Sequence, residues 1–430
     1  MKAHAFFNTI EDILLQSLKD ELDLTPKPGC VDGRDSGPHA DMDYDVFLRS
    51  ISSLKGYFFE IMEVSNRKNT FDDTFEAIRP IGMKYEEMMY EATKGINTHK
   101  GAIFTLGVIA SAIARLYYDN KYITIDLISE YVKKLCANIF DDFNKKEMQD
   151  SNGMRAYKNN AKHSGIRFEA KNGFKTALDA YEFYKKTEDF LRTYVYIIST
   201  LDDTTTINRV GESGLAFSKD YAKKVLESEN FDEELKEMDK FYTEKNISTG
   251  GCADTIELVY FFKRMDDFLA SYMNDFLYNK EERWGIITKA IQDSNKPIIT
   301  LNLNIKGMHK DKDEFEPIYK AAKMYLSSYE CVYEDEDNYS AIYLAKGEAI
   351  DEKKKFVHLE EEHDFMRFVD IDVIDTDLKP ISRTELGYAK RTCIVCGGDR
   401  FTCMREERHT QEDFNASLNA ALLNLSLIHI

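Results

Sequence analysis

Asp41 and Asp43 stand one residue apart at the end of Pro26-Lys27-Pro28-Gly29-Cys30-Val31-Asp32-Gly33-Arg34-Asp35-Ser36-Gly37-Pro38-His39-Ala40-Asp41-Met42-Asp43. Hard carboxylate oxygens at that spacing suit Mg²⁺, which takes one or two carboxylates and fills its shell with water and phosphate oxygens. The same residues would equally make a solvated turn whose last Asp caps a helix. A second acid pair, Asp370-Ile371-Asp372, lies in the apolar run Phe368-Val369 to Val373-Ile374. On a strand, alternate side chains share a face, so both carboxylates could hold one cation against a triphosphate, or simply line a solvent-facing edge. Cys393, Cys396, Cys403 and His409 supply four soft or borderline ligands, the complement of a closed Zn²⁺ site; packed reduced thiols read as well from the spacing. Arg391, Arg405 and Arg408 around them could bind phosphate.

Two further segments place glycine at a helix start. In Gly95-Ile96-Asn97-Thr98-His99-Lys100-Gly101, Asn97 or Thr98 is a reasonable N-cap, which puts His99 and Lys100 in the first turn. Cations there oppose the helix dipole, and a bound anion would reverse the sign. In Ser248-Thr249-Gly250-Gly251-Cys252-Ala253-Asp254, paired glycines would let backbone approach a ligand, with Asp254 facing a metal or a ribose. Gly165-Ile166-Arg167 with Glu169, and Asp203-Thr204 with Arg209, each pair acid with base and read singly as salt bridges.

The elements that must hold these groups differ between the two halves. No proline occurs between Pro80 and Pro297, and apolar residues recur at helical spacing, as in Ile10, Ile13, Leu14 and Leu18, in Phe104 to Tyr118, and in Ala177 to Leu201. After Pro297 the pattern alternates, with Ile299, Leu301, Leu303 and Ile305 opposite Thr300, Asn302 and Asn304, predicting a half-buried strand. Further alternation at Ala341 to Leu344 and Phe365 to Ile374, with a helix near Phe315 to Leu326, completes an α+β half. The expected architecture is multidomain: an all-α N-terminal domain over residues 1–278, then a smaller α+β C-terminal domain over 279–424. Asn415 to Leu425 reads as a helix. Residues 425–430 look like translated library-adapter sequence, a non-native tail.

Composition narrows the classes of function. With 57 basic and 76 acidic residues the net charge is −19, which opposes non-specific binding to nucleic acid or anionic membrane. A polyanionic substrate would need a metal or a local cationic pocket. The start lacks the charge pattern of a signal peptide, and the stretch Ala102 to Ala114 is shorter than the ~20 residues that span a bilayer, so a soluble cytoplasmic protein is expected. Seven cysteines, four of them far apart, fit reduced thiols.

Taken in order, the loop from Lys27-Pro28-Gly29 to Asp43, Asn97-Thr98-His99-Lys100-Gly101, Gly165-Ile166-Arg167 with Glu169-Ala170, Asp203-Thr204 with Arg209, and Gly250-Gly251 with Ala253-Asp254 resemble the signature blocks of triphosphoribosyl-dephospho-CoA synthases. Val210 stands where a second glycine is expected, and Ser248-Thr249 where Ser-Pro is usual. The resemblance implies that ATP and 3′-dephospho-CoA yield 2′-(5″-triphosphoribosyl)-3′-dephospho-CoA and adenine, through an oxocarbenium-like transition state served by a carboxylate. Mg²⁺ is then expected on Asp41 and Asp43, with Asp203 and Asp254 as lesser ligands. Lys27, His99, Lys100 and Arg167 would bind phosphate. Arg34, His39, Asn97, Arg209, Gly250 and Gly251 would line the nucleotide site. Asp32 or Glu169 would be the base or cation stabiliser, and the sequence does not choose.

The second half resembles the apo-citrate lyase phosphoribosyl-dephospho-CoA transferases through Leu303-Asn304-Ile305 with Gly307, Glu361-Glu362, Arg367, Asp370-Ile371-Asp372-Val373, Ser382-Arg383, Leu386-Gly387, Arg391 with Cys393 and Cys396, and Cys403 with Arg405 and His409. Lys306 replaces an expected proline and Met366 an expected glycine. The resemblance implies transfer of the prosthetic group to a serine of the citrate lyase acyl carrier protein, its gamma subunit, with loss of pyrophosphate. Asp370 and Asp372 would hold Mg²⁺, and Arg367 or Arg383 would steady the leaving group. Two alternatives stay open: an inactive C-terminal half, stabilised by structural Zn²⁺, that only docks the carrier, and service to malonate decarboxylase.

Overall fold

The computed structural model describes residues 3–65, 70–119, 121–140, 165–305, 313–406 and 408–428; Lys306, Gly307, His429 and Ile430 lie outside them. The chain forms two compact units, one of residues 7–118 and 123–271, the other of 1–6, 119–122 and 272–430.

The first unit is helical. Its described helices are α1 (Ala3–Asp23, from Phe7 on), α2 (Tyr44–Ser53), α3 (Tyr57–Ser65), α4 (Phe71–Ala92), α5 (Lys100–Tyr118), α6 (Ile125–Leu135), α7 (Ile166–Lys171), α8 (Lys175–Thr187), α9 (Phe190–Thr200), α10 (Thr204–Glu227), α11 (Phe231–Glu244) and the first part of α12 (Gly250–Ser294). The centre is α5, buried from Ala102 to Tyr117 except at Phe104, as its apolar residues on all sides require. It is long and apolar enough for a membrane span, but 83% of its most apolar window is packed inside the protein. α3, α4 and α6 pack around it, and Tyr57 OH donates to Ile103 O at 2.8 Å.

The periodic stretch Ala177 to Leu201 is two helices rather than one. Glu188 takes a left-handed conformation (φ 52°) that ends α8, and Asp189 caps α9 by accepting from Arg192 N. Periodicity alone does not register a turn that short. α10 bends at Gly211, where φ is 74°.

The second unit holds a four-stranded antiparallel sheet in the order β2-β3-β1-β4, from β1 (Ile298–Leu303), β2 (Glu330–Asp335), β3 (Ser340–Leu344) and β4 (Val369–Ile374). Helices α13 (Glu316–Tyr325), α14 (Ala349–Glu362), α15 (Arg400–Arg405) and α16 (Gln411–Ile428) complete it. Ile299, Leu301, Leu303, Ile371 and Val373 form one face, packed with Ile318, Phe356 and Leu418. β1 is more enclosed than a half-buried strand. Its second face is covered where Ile298, Ile342 and Ile374 meet Ile287, Ala290 and Ile291 of α12. α16 runs past the expected start of a tail, and Leu425 is 7% exposed within the core.

Candidate active sites

In the helical unit the loop between α1 and α2 is built around Asp32. Its Oδ2 accepts from Lys27 N at 2.9 Å, and its Oδ1 accepts from Arg34 N at 2.7 Å and Asp35 N at 3.1 Å. The buried Lys27 ammonium donates to Glu21 O at 3.0 Å and pairs with Glu21 Oε1 at 2.5 Å. Asp43 caps α2 by accepting from Val46 N at 2.8 Å, and Asp41 is exposed. Arg34 pairs with Asp239, whose carboxyl is pushed up to about 6 chiefly by burial.

This loop is fastened to the segment before α12. Thr249 N donates to Gly29 O at 3.3 Å, and Thr249 Oγ1 donates to Pro28 O at 2.6 Å and lies 2.8 Å from Tyr194 OH. His39 sits 3.3 Å from Ser248 Oγ and 3.2 Å from the Arg209 guanidinium, which also donates to Asn246 Oδ1 at 2.6 Å. Burial and the Arg209 charge lower the His39 pKa.

The paired glycines do admit a close approach, but of protein groups. A Cβ on Gly251 would fall 2.8 Å from Asp203 Oδ1, and one on Gly250 would fall 3.2 Å from Thr205 Oγ1. Asp203 caps α10 through Thr205 N and also accepts from Cys252 N at 3.1 Å. Burial raises its pKa despite these donors. Gly101 serves likewise, since a Cβ there would lie 2.7 Å from Asp254 Cγ. The block at Gly165 meets Thr204, and Arg167 stands over the Phe104 ring at 5.9 Å. All five sequence blocks are thus joined around the start of α12.

His99 differs from its expected setting. α5 begins at Lys100, so His99 precedes the first turn and is buried, with Nδ1 2.6 Å from Ser50 Oγ. Burial, with Lys27 nearby, pushes its pKa down to about 3, so the ring is neutral and adds no charge against the dipole. Lys100 pairs with Glu86. Asn97 is exposed. Glu169 accepts from Thr176 N at 3.1 Å and Thr176 Oγ1 at 2.8 Å, supplying the cap that α8 otherwise lacks behind Phe174.

Glu257 was not singled out from the sequence. It is 2% exposed, and its Oε1 and His99 Nε2 are buried without a hydrogen-bond partner among the described residues. Desolvation, with Asp254 and Glu21 close by, raises its pKa far above the carboxylate range. Asp254, one turn earlier, is pushed up to about 8 by desolvation, then by Glu21 and Asp203. The available signal was the three-residue spacing from Asp254, which puts both acids on one helix face. A cleft lined by Tyr184, Phe190, Tyr260, Lys263 and Arg264 contains none of the five blocks.

In the sheet unit, register pairs Asp372 with Thr300 and Asp370 with Asn302, so both acids lie on one face of β4. Asp370 Oδ1 pairs with Arg391 Nη1 at 3.0 Å, and Asp372 Oδ1 with the buried Lys353 Nζ at 3.2 Å. Arg391 also donates to Val369 O at 3.1 Å and pairs with Glu360, whose other oxygen pairs with Arg383 at 3.1 Å. Burial raises the Glu360 pKa against the pull of those arginines. Arg383 is thus committed to Glu360 and Glu361, while Arg367 is half exposed and lies 3.4 Å from Asp364. Lys353 and Glu360 carried no sequence motif, and the contact that ties Arg391 to Asp370 spans 21 residues of chain.

All seven cysteines are free. The ligand atoms of Cys393, Cys396, Cys403 and His409 lie within 4.8 Å of one another. Hydrogen bonds from Gly398 and Cys403 push the Cys396 thiol down to about 7, while burial raises Cys403 to about 11.

A buried cluster of acids beneath glycine-rich segments, with a strand-borne acid pair in the same chain, offers two donor sets of the kind that transferases of phosphorylated nucleotides use to hold a cation. Comparison with known proteins agrees. Residues 7–271 match the family model of ATP:dephospho-CoA triphosphoribosyl transferase, and residues 272–424 match that of apo-citrate lyase phosphoribosyl-dephospho-CoA transferase. The chain belongs to the first family and carries a domain of the second, which makes it a bifunctional transferase of citrate lyase prosthetic-group biosynthesis. It is 30% identical over 285 residues to a probable 2-(5''-triphosphoribosyl)-3'-dephosphocoenzyme-A synthase of Photobacterium profundum, covering 62% of this chain and 90% of the relative. A synthase of Haemophilus ducreyi is 32% identical over 60% of this chain and 88% of its own length. Protein CitXG of Haemophilus influenzae is 29% identical over 60% of each chain.

Proposed function

We propose that the helical unit releases adenine from ATP and joins the triphosphoribosyl group to a ribose hydroxyl of 3′-dephospho-CoA. The other unit then passes the phosphoribosyl-dephospho-CoA group to a serine of the citrate lyase acyl carrier protein, its gamma subunit, releasing pyrophosphate. The observation that carries this reading is the convergence of Asp203, Asp254 and Glu257 where the five blocks meet, with Glu257 Oε1 and His99 Nε2 left without protein partners.

Within it, Glu257 or Asp254 takes the proton of the attacking hydroxyl. Acting as the base requires the ionised form, which burial disfavours at both groups and a bound cation would restore, whereas Asp32 spends its oxygens on backbone donors and Glu169 on Thr176 N and Oγ1. The neutral His99 offers Nε2 to a hydroxyl or a purine edge rather than a charge to phosphate. Asp41, Asp43, Asp203 and Asp254 remain the proposed Mg²⁺ ligands. Glu257 joins them, since clustered acids with an orphaned oxygen are a donor set suited to a hard cation. Bound Mg²⁺ would neutralise polyphosphate charge that these acids alone would repel. In the second unit Asp370 and Asp372 would hold Mg²⁺, and Arg391 is the arginine best set to face the transferring phosphoryl group. Reduced thiols and nucleotide substrates fit a cytoplasmic setting.

The test is to incubate the full chain with Mg²⁺, ATP and dephospho-CoA, follow free adenine, then add apo carrier protein and weigh it. Adenine followed by a mass gain of one prosthetic group is expected. Failure to release adenine overturns the first step, and adenine without a mass gain overturns the second.

A further inference from the structure

We infer that Cys393, Cys396, Cys403 and His409 form a Cys3His site for one structural Zn²⁺ ion, and that this ion clamps the loop from which Arg391 reaches Asp370. The four ligand atoms lie within 4.8 Å of one another, and Cys396 Sγ and Cys403 Sγ are 3.6 Å apart. Zinc–sulfur bonds of ~2.3 Å in a tetrahedron require sulfur separations of about 3.7 Å, so the cluster is already near the size the ion needs. The backbone is shaped for it. Cys393 N donates to Gly398 O at 2.7 Å and Gly397 N to Cys393 O at 2.9 Å, and Gly397 takes φ 72°, folding Cys393 to Gly398 into a tight knuckle. Thr392 and Asp399 bridge across its base. Asp399 then caps α15, which presents Cys403, and Arg408 N donates to Cys403 O at 3.2 Å, returning the chain to His409.

His409 supplies the independent observation: its Nε2 is buried with no hydrogen-bond partner among the described residues. A disulfide would consume two thiols and leave the third, and that nitrogen, unexplained. Zinc accounts for all four. The knuckle is flanked by two arginines that touch the strand pair bearing the acids. Arg391 meets Asp370 Oδ1 and Val369 O, and Arg400 donates to Asn304 Oδ1 at 2.8 Å, while Asn304 N donates to Phe368 O.

The full chain, purified without chelator, is assayed for metal. About one zinc per chain is expected, falling at least tenfold in Cys403→Ser and in His409→Gln and unchanged in Cys331→Ser, whose thiol lies on β2. Cobalt loaded in place of zinc should give thiolate-to-metal charge-transfer and tetrahedral bands. Stripping the wild-type chain with a chelator should raise hydrogen exchange at 388–409 and 369–374 and leave residues 100–118 protected. A zinc-free wild-type chain that also refuses added zinc, full metal retention in both ligand variants, or equal loss in Cys331→Ser overturns the site. Loss of metal with unchanged exchange at 369–374 overturns the clamp.

Discussion

Glu257 and Asp254 are one turn apart on α12, and each holds a proton more tightly than an ordinary carboxyl because water is kept from it. Glu257→Gln keeps the shape and removes the proton acceptor. Adenine release should fall roughly 100-fold or more; an unchanged KM for ATP marks loss of a general base, and a raised KM for ATP marks loss of a cation ligand. Asp254 also sets a pH-dependent strain. With its pKa moved from 3.8 to about 8, the folded chain keeps a proton that the unfolded chain has released, so this group lowers stability progressively as pH rises from about 4 to about 8. Asp254→Asn should therefore raise Tm at pH 8, make no difference near pH 4, and lose adenine release. Mg²⁺ should raise the wild-type Tm at pH 8 by binding the ionised form, and an unchanged wild-type Tm would argue against a metal at this group.

At the scale of elements, caps and docked loops decide which acids are free for chemistry. Glu169 caps α8 in place of Phe174, whose side chain carries no acceptor. Glu169→Ala should cost about 1 kcal/mol in denaturant unfolding while adenine release is little changed; a folded but inactive variant would restore Glu169 as the base. In the sheet unit, β4 presents Asp370 and Asp372 together, and Arg391 binds Asp370 and Glu360 at once. Lysine cannot span both with a fork, so Arg391→Lys should slow carrier loading by about 10-fold or more and leave adenine release intact. Carrier mass and free adenine, measured on one sample, separate the two effects.

For the whole molecule, the net charge of −19 faces two polyanionic substrates, so both steps should stop when EDTA removes divalent ions, adenine release resuming with Mg²⁺ and carrier loading with Mg²⁺ together with Zn²⁺. Division into two compact units predicts that the activities separate. Glu257→Gln should still load the carrier when given the triphosphoribosyl intermediate, and Asp370→Asn should release adenine but never load it. Mixing the two variants should restore loading, because the intermediate can diffuse from one chain to the other. No loading by the mixture, with each variant active in its own half-reaction, would mean that the intermediate does not leave the chain.

Much of this was written in local pattern. Helical spacing without proline, then alternation from Ile299, separated an all-helical part from one with a sheet, because periods of 3.6 and 2 follow from backbone geometry alone. The spacing of Asp370 and Asp372 put them on one face for the same reason, and Cys393, Cys396, Cys403 and His409 were close enough in sequence to be read as a set. What needed the folded chain was everything that depends on distant segments meeting. Asp32 and Glu169 look like free acids in a string of letters, yet backbone N–H groups and the Thr176 hydroxyl claim their oxygens. Glu257 looks like one more charge on a helix, yet packing strips its water and leaves an oxygen unpaired. Burial and partnership are set by what surrounds a residue in space, and it is these that turn a carboxylate into a cap, a counter-ion or a base.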